Sequence, residues 1–364
     1  MSSLVTRYQS YLNTTHFSSF QLPEVTVAVV TYNGINVIKN CLDSLLAQTY
    51  QPTQIIVIDN ASTDQTPEWI EAHYPDIKVI RLSSNCGPNP ARNQGILHTP
   101  DHHLTLLVDD DTQLAANCLS ELIEAHQRYP EAAIYTPRLV YHDRPNIIQH
   151  EGVFIHYTGE AVLLNSDQPL NKGIKEITPV HAISGTCMLV SKPAATAIGL
   201  FDEDYFFGRT DGEFTFRLTI SGYQLYTVPE AICYHRVKTR GLSKVFYQVR
   251  NRWYFILTTY SLKTLLLLIP AFLVYELFLA AFLLLKGKIT EYFQAIIAVF
   301  QSFSRLMRKR RKAQACKIRS DRELLQSKAL YMRGDLLKNP ILAKVKSGLD
   351  QFFRLYWKLI IPLI

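Results

Sequence analysis

No apolar block with a charged flank opens this 364-residue chain; Met1 to Phe20 is polar and rich in serine and threonine. That stretch carries no cleavable secretory signal, so the domain after it is expected to stay in the cytosol. The six cysteines, Cys41, Cys86, Cys118, Cys187, Cys233 and Cys316, include no C-x-x-C pair and no metal-like spacing. They read as reduced, mostly buried thiols, which excludes a disulfide framework and a zinc finger. Glycine is missing where a dinucleotide would need it, because the turn Thr31-Tyr32-Asn33-Gly34 has no G-x-G-x-x-G. The same turn lacks the glycine-rich, Arg- and Lys-bearing loop of a nucleotidyltransferase. Net positive charge is also absent from most of the chain. The formal +7 comes largely from Arg305, Arg308, Lys309, Arg310, Arg311, Lys312, Lys317, Arg319 and Arg322. Such a run meets nucleic acid, anionic lipid or only solvent, and its place beside an apolar segment favours lipid.

What is present alternates between two periods. Val25 to Thr31 (VTVAVVT) and Gln54 to Asp59 (QIIVID) are short and β-branched, as buried strands are. Between them Ile35, Ile38, Cys41, Leu42, Leu45 and Leu46 recur at helical spacing. Ser62 or Thr63 then caps a helix with Pro67 in its first turn. Lys78 to Leu82 and Leu104 to Val108 read as further strands, and Leu114 to Tyr129 as a third helix. This alternation implies an α/β fold, a parallel sheet with helices on both faces, whose ligands bind beyond the carboxyl ends of the strands. Polar loops meet there: Thr31 to Gly34, Asp59 to Ser62, Asn85 to Asn93, and Asp109 to Asp111. From Val140 to Val180 the pattern breaks into the turn-rich pieces of an inserted or acceptor-facing region. Ile183 to Val190 resumes as a strand and Asp211 to Ser221 as a helix ended by Gly222. Gln224 to Val228 and Ala231 to Tyr234 read as two closing strands.

Three consecutive aspartates end the fourth strand, LLVDDDT, and are costly together unless a cation sits among them. Carboxylate oxygens suit Mg²⁺ or Mn²⁺; an acidic turn capping the next helix is the plainer alternative. A second cluster runs Phe201-Asp202-Glu203-Asp204-Tyr205-Phe206-Phe207, with Asp211 and Glu213 where a helix begins, a place where carboxylates also serve as caps. Two separated clusters meet the needs of sugar transfer: one acid binds the metal and diphosphate, the other takes the acceptor's proton. His235 ends an apolar strand and is either structural or a further ligand. Arg250 and Arg252 read as contacts to phosphate or to lipid head groups.

The strings VAVVTYNGINVIKNCLDSLLAQTYQPTQIIVIDNASTDQT, SNCGPNPARNQGI, LLVDDDT, ISGTCMLVSKPAATAIGLFDEDYF and VPEAICYHR occur in this order over about residues 24 to 255, with the acidic helix at Asp211 before the last. Together they resemble glycosyltransferase family 2, and within it the bacterial rhamnosyltransferase and galactofuranosyltransferase type. The resemblance implies the GT-A fold, a Rossmann-like mixed sheet flanked by helices. It also implies inverting transfer of a sugar from a nucleotide-diphosphate donor, a UDP- or dTDP-sugar, with Mg²⁺ or Mn²⁺. By the same resemblance Thr31 and Asp59 hold the base and ribose, Arg92 the nucleotide, and Asp109 the ribose. Asp111 falls on the metal-binding end of D-x-D, His235 on the metal and diphosphate site, Gly185 on the acceptor-side loop, and Asp211 on the catalytic base. The chain reads Thr210-Asp211-Gly212-Glu213 where the family commonly has Glu-Asp and then a further Asp. The base is therefore Asp211 or Glu213, the latter otherwise an acceptor-side residue. Gln248 stands one residue too far from Arg252-Trp253 for the Q-x-x-R-W of processive synthases, which favours single addition.

Leu262 to Leu285 is almost wholly apolar and long enough to cross a bilayer of ~30 Å, though Pro270 and Glu276 interrupt it. Ile289 to Phe303, diluted by Glu291, Gln294 and Gln301, is a return span or an interfacial helix. The basic run belongs on the cytosolic side, and the tail Phe352 to Ile364, too short to span, at the interface. The chain thus divides into an extension over 1–23, a catalytic domain over 24–255, membrane-spanning or membrane-embedded helices over 256–304 and a basic amphipathic tail over 305–364. The expected setting is the cell inner membrane with the catalytic domain in the cytoplasm. Membrane lipid and a glycan or lipid-linked acceptor are the expected partners, and nucleic acid is not. The competing reading is an inactive membrane-anchored protein that binds glycan or nucleotide; intact Asp109, Asp111 and Asp211 argue against it.

Overall fold

A computed structural model describes residues 22–237, 242–330 and 340–364; most of the expected 1–23 extension lies outside the described residues. β1 (Val25–Thr31) is buried at every position, with Val25, Val27 and Val29 in one apolar core and Ala28 and Val30 in another. A strand whose two faces both meet a core must lie inside a sheet covered by helices on each side. After it come α1 (Ile38–Leu46), β2 (Gln54–Asp59), α2 (Thr66–His73), β3 (Lys78–Arg81), α3 (Pro88–His98), β4 (Leu104–Asp109) and the short β5 (Thr112–Leu114). Next are α4 (Cys118–Arg128), β6 (Ile134–Tyr141), β7 (Ile148–His150), β8 (Val153–His156), β9 (Ala161–Leu163) and β10 (Thr178–Val180). β11 (Cys187–Ser191), α5 (Lys192–Ala197), α6 (Thr210–Ile220) and β12 (Leu225–His235) complete the sheet and its covers. The strand order is β10-β12-β6-β11-β4-β1-β2-β3, with β5 paired to β12 and β7 to β6. β3, β2, β1 and β4 are parallel, as alternation implies, but β11 runs antiparallel between β4 and β6, so the sheet is mixed.

Several local expectations are corrected by contacts that no sequence window shows. The loop expected over Asn85 to Asn93 is mostly helix, because α3 starts at Pro88, whose fixed φ suits a first helical position. Gly95 then lets α3 lie against the sheet: a Cβ there would come within 2.7 Å of the Ala28 Cβ. The helix expected from Leu114 begins at Cys118, since Leu114 is drawn into β5 opposite Cys233. The strand expected over Ile183 to Val190 is confined to β11, which frees the loop around Gly185. The two closing strands are one, β12, with a register irregularity between Val228 and Ile232 that accommodates Pro229.

Register builds the functional edge. Parallel pairing sets Thr31 beside Asp59 and Val30 beside Asp109. The β5 to β12 pairing sets His235 opposite Thr112, one residue past the aspartate triplet.

α7 (Val245–Thr259) runs through the expected boundary at 255/256 and leads to α8 (Leu262–Leu285), α9 (Ile289–Gln301) and α10 (Phe303–Ala315). The single turn α11 (Asp321–Leu324), β13 (Leu325–Gln326) and α12 (Pro340–Ile360) follow. These elements share a core with the sheet insert: Leu268, Ala271, Phe272 and Tyr275 of α8 and Phe353, Trp357 and Ile360 of α12 pack with Val153, Ile155, Tyr157 and Phe216. Among the described residues α8 alone is long and apolar enough to cross a membrane. The 13 residues of α9 reach about 20 Å, too short for the return span offered for Ile289 to Phe303. The tail from Phe352 is the end of the 21-residue α12, with Phe353 and Trp357 turned into protein and Leu355, Leu359 and Leu363 exposed. Part of the basic run also serves the fold. Arg310 donates to the carbonyls of Leu257 and Tyr260, and Lys317 to that of Thr259, so both cap the carboxyl end of α7.

Because α8, α10 and α12 complete the core and cap α7, a chain ended at Trp253 is expected to aggregate rather than be released as a soluble domain. Size-exclusion chromatography of that fragment checks this; a monodisperse fragment that unfolds cooperatively would contradict it.

Candidate active site

Asn89, Arg92 and Asn93 lie at i, i+3 and i+4 of α3, on one buried face. Asn89 Nδ2 donates to the Asp202 carbonyl at 2.8 Å, and Asn93 exchanges two bonds of 2.9 and 3.0 Å with the Phe201 backbone. Between them Arg92 Nη2 donates to Asp109 Oδ1 at 2.9 Å and to the Gly185 carbonyl at 3.4 Å. Only 4% of Arg92 is exposed, and so buried a charge survives only among opposite charges. Burial favours its neutral form, but Asp109 and Asp211 outweigh burial and hold the guanidinium charged. Gly185 is glycine for a steric reason: a Cβ there would lie 2.7 Å from Arg92 Cζ. Its N–H donates to Asp211 Oδ2 at 2.5 Å.

Asp211 stands in the first turn of α6, where backbone N–H groups point outward. Burial pushes its carboxyl up, yet Arg92 and the N–H groups of Gly185, Asp211 and Gly212 more than offset this, leaving it below the ordinary carboxylate range. It is therefore ionised at neutral pH, and the charge is lost only as pH falls through that lowered value. Glu213 is two residues on, about 200° around the helix. It forms a buried pair with Arg217 at 2.6 and 3.0 Å, and Arg217 in turn donates to the carbonyls of Ile198 and Leu200. Glu213, expected on the acceptor side or as the rival base, thus has its carboxylate engaged by Arg217. Glu213 lines a separate cavity of about 770 Å³ with Phe201, Arg217 and Lys309, which none of Asp109, Asp111 and Asp211 lines.

At the other end of the cluster, Asp111 Oδ1 lies 3.4 Å from His235 Nε2. His235 Nδ1 bonds Gln149 Oε1 at 2.9 Å. An amide oxygen only accepts, so Nδ1 carries a proton and Nε2 is the ring nitrogen turned toward Asp111, where a cation between them would meet both. Thr31 Oγ1 donates to Asp110 Oδ2 at 2.6 Å, pinning the triplet to the end of β1. Burial raises the Asp109 carboxyl; Arg92 lowers it and Asp111 raises it again, and the net shift is upward. The carboxylates of the triplet and one imidazole, balanced nearby by Arg92, form a donor set that fits Mg²⁺ or Mn²⁺. A different group, Glu24, His102 and His103, is the one among the described residues whose ligand atoms all lie within 4.8 Å of one another. It lies at the amino ends of β1 and β4, where Val25 pairs with Leu104, roughly 20 Å of strand away from Asp109.

The structure thus links Thr31, Arg92, Asp109, Asp111, Gly185, Asp211 and His235 in one cluster. Asp59 sits one strand over, its carboxylate accepting from Ser62 N at 3.1 Å. Arg250 and Arg252 take neither role expected of them. Arg252 is 1% exposed and paired with Glu276 at 2.5 Å, while Arg250 donates to the Asp204 carbonyl and lies over the Tyr247 and Tyr254 rings. Sequence reasoning gave Asp110 no role of its own within the triplet and missed Gln149 and His150. Burial lowers the His150 imidazole to about 4, with His235 adding to the effect and Asp211 opposing it, so a neutral histidine stands near both. The only signal was the polar pair inside the short β7, in a region without clear periodicity.

Residues 26–198 match the model of glycosyl transferase family 2. N-acetylglucosaminyl-diphospho-decaprenol L-rhamnosyltransferase of Mycobacterium tuberculosis is 25% identical over 244 residues, covering 59% of this chain and 77% of its own. Poly-beta-1,6-N-acetyl-D-glucosamine synthase of Staphylococcus aureus is 26% identical over 236 residues, covering 64% of this chain and 54% of its own. Among solved structures, GalNAc-T7 with UDP, GalNAc and Mn²⁺ superposes with a TM-score of 0.57 at 17% identity, over 67% of this chain and 49% of that one.

Glu213→Ala strands Arg217 without its carboxylate and is expected to cost about 3 kcal/mol of stability. Urea unfolding measures it, and an unchanged midpoint would show that the pair does not brace α6.

Proposed function

From a chain that carries a glycosyl transferase family 2 domain on a GT-A fold, we propose direct, inverting transfer of a sugar from a nucleoside-diphosphate donor to an acceptor hydroxyl. The observation that carries this reading is the Arg92 junction, which touches Asp109 on the triplet strand and sets its charge against Asp211 on the facing helix. Two acids with opposite tasks are thereby held on either side of one guanidinium. Thr31 and Asp59 face the base and ribose from the ends of β1 and β2, and Arg92 and Asp109 hold the nucleotide. Asp111 and His235 would hold Mg²⁺ or Mn²⁺, with Gln149 bonded to the other ring nitrogen of the histidine. When bound, the ion offsets charge that grows on the departing diphosphate.

Asp211, kept ionised by Arg92 and the Gly185 N–H, takes the acceptor's hydroxyl proton as the new bond to the anomeric carbon forms. The sugar-to-phosphate oxygen bond breaks on the opposite face, and the nucleoside diphosphate leaves with the electron pair. Gly185 keeps the acceptor-side loop against Arg92. The relatives' names support a hexosyl donor and a growing or lipid-linked glycan as acceptor.

Asp211→Asn is expected to keep donor and Mn²⁺ binding by calorimetry while turnover falls at least ~10²-fold, because the amide keeps the shape but does not take the proton. Near-normal turnover would remove Asp211 as base. Asp111→Ala is expected to abolish Mn²⁺-dependent donor binding with the fold intact, since removing one acid relieves repulsion within the cluster. Unchanged donor affinity in that variant would remove the metal assignment and leave the base assignment standing.

A further inference from the structure

We infer that α8 does not cross a bilayer: it lies flat on one leaflet and, with α9 and α12, forms a face that binds an anionic lipid surface. By composition α8 is a spanning helix, but its neighbours forbid it. Ser261 N, at its start, donates to Asp321 Oδ2 at 2.7 Å. Leu268, Ala271 and Phe272 pack into the core that holds Val153, Ile155 and Phe216. Tyr275 OH donates to Glu160 Oε1 at 2.7 Å, and Glu276 accepts from Arg252 at 2.5 Å and from Tyr292 OH at 2.6 Å. Near its end Leu283 packs with Val245 and Val249. Protein therefore runs beside the helix from Thr264 to Leu283, roughly 29 Å at the α-helical rise, which is the full thickness of a hydrocarbon core. Crossing would carry Arg252, Glu160 and the edge of the sheet insert into lipid. Detaching α8 instead would leave the buried Arg252 without Glu276.

The opposite side of α8 has no protein over it among the described residues. Leu262, Leu266, Leu273 and Leu277 form a stripe 59 to 71% exposed. α9 packs beside it through Tyr292 and shows Phe293, Ile297 and Phe300 to the outside. α12 packs beside it through Tyr356, whose hydroxyl donates to the Leu267 carbonyl, and shows Leu355 and Leu359. So broad an apolar face is not left to water. Its charge names the occupant. The acids on these helices are engaged elsewhere, Glu276 by Arg252, Glu291 by Lys288 and Asp350 by Lys346. Lys263 and Lys286 flank the α8 stripe, Arg354 and Lys358 alternate with the α12 leucines, and Arg308, Arg311 and Lys312 are exposed on α10. Apolar side chains rimmed by lysine and arginine fit the interface of an anionic leaflet, with the long basic side chains reaching the phosphates. The Glu276, Arg252 and Glu160 chain continues to Arg209, the residue before Thr210 and Asp211, so the base helix is fixed relative to that leaflet.

Two arms test this on the full chain. Lys263→Cys and Lys286→Cys, each made with Cys86→Ser and Cys316→Ser, are expressed in bacterial inner membrane and treated with a membrane-impermeant maleimide. Both are expected to react in inverted vesicles and neither in spheroplasts; reaction of one from each side means α8 crosses and overturns the inference. In the second arm, purified protein is expected to float with vesicles containing phosphatidylglycerol and much less with phosphatidylcholine alone. Leu266→Asp with Leu277→Asp is expected to weaken that partition at least ~10-fold. An unchanged partition, or no vesicle binding together with a dimer by light scattering, overturns it, the second result giving the face to another copy of the chain. Neither arm reads sugar transfer, so failure here leaves the proposed activity untouched.

Discussion

A guanidinium taken out of water must be met by carboxylates, and Arg92 is met by two that come from distant parts of the chain. Asp109 ends a strand and Asp211 begins a helix, 102 residues apart in sequence. The charge between them draws both carboxyls down, yet burial and Asp111 leave Asp109 raised, while the N–H groups of Gly185, Asp211 and Gly212 help leave Asp211 lowered. Gly185 leaves room for the guanidinium, and the amides of Asn89 and Asn93 clamp the Phe201 to Asp202 turn around it. One helix face thus joins the strand that ends in Asp109 to the helix that begins at Asp211.

A second buried network orients that site. Arg252 joins Glu160 and Glu276, and Glu160 joins Arg209 at the threshold of the base helix. Apolar helices would slide on the sheet insert if only leucines touched it. The ion pairs and the hydroxyls of Tyr275 and Tyr292 set one register, the kind of specificity that buried polar contacts supply better than raw stability.

Much of this was legible in the residues. The strands carrying Thr31, Asp59 and Asp109 showed their period plainly, and parallel alternation placed their ends on one edge. α3 was hidden because Pro88, Pro90 and Gly95 look like loop signals, although one proline starts the helix and the glycine seats it. Asp211 and Glu213 could not be told apart by spacing alone; only the packed helix shows them on opposite sides. Gln149 and His150 sat in a stretch of strands only three or four residues long, too short for a period to show. Composition also cannot separate a helix that crosses lipid from one that lies against protein, because leucine serves both; Glu276 was the clue, and its partner Arg252 was read as a surface residue.

The account stands on one site that combines the triplet strand, Arg92 and the helix that carries Asp211. The measurement that reaches it most directly is anomalous diffraction from crystals grown with Mn²⁺ and a nucleoside diphosphate. A manganese peak between Asp111 and His235, with the nucleotide against Arg92, is the predicted result. A peak only at the Glu24, His102 and His103 group, or nucleotide bound away from Arg92, would contradict it.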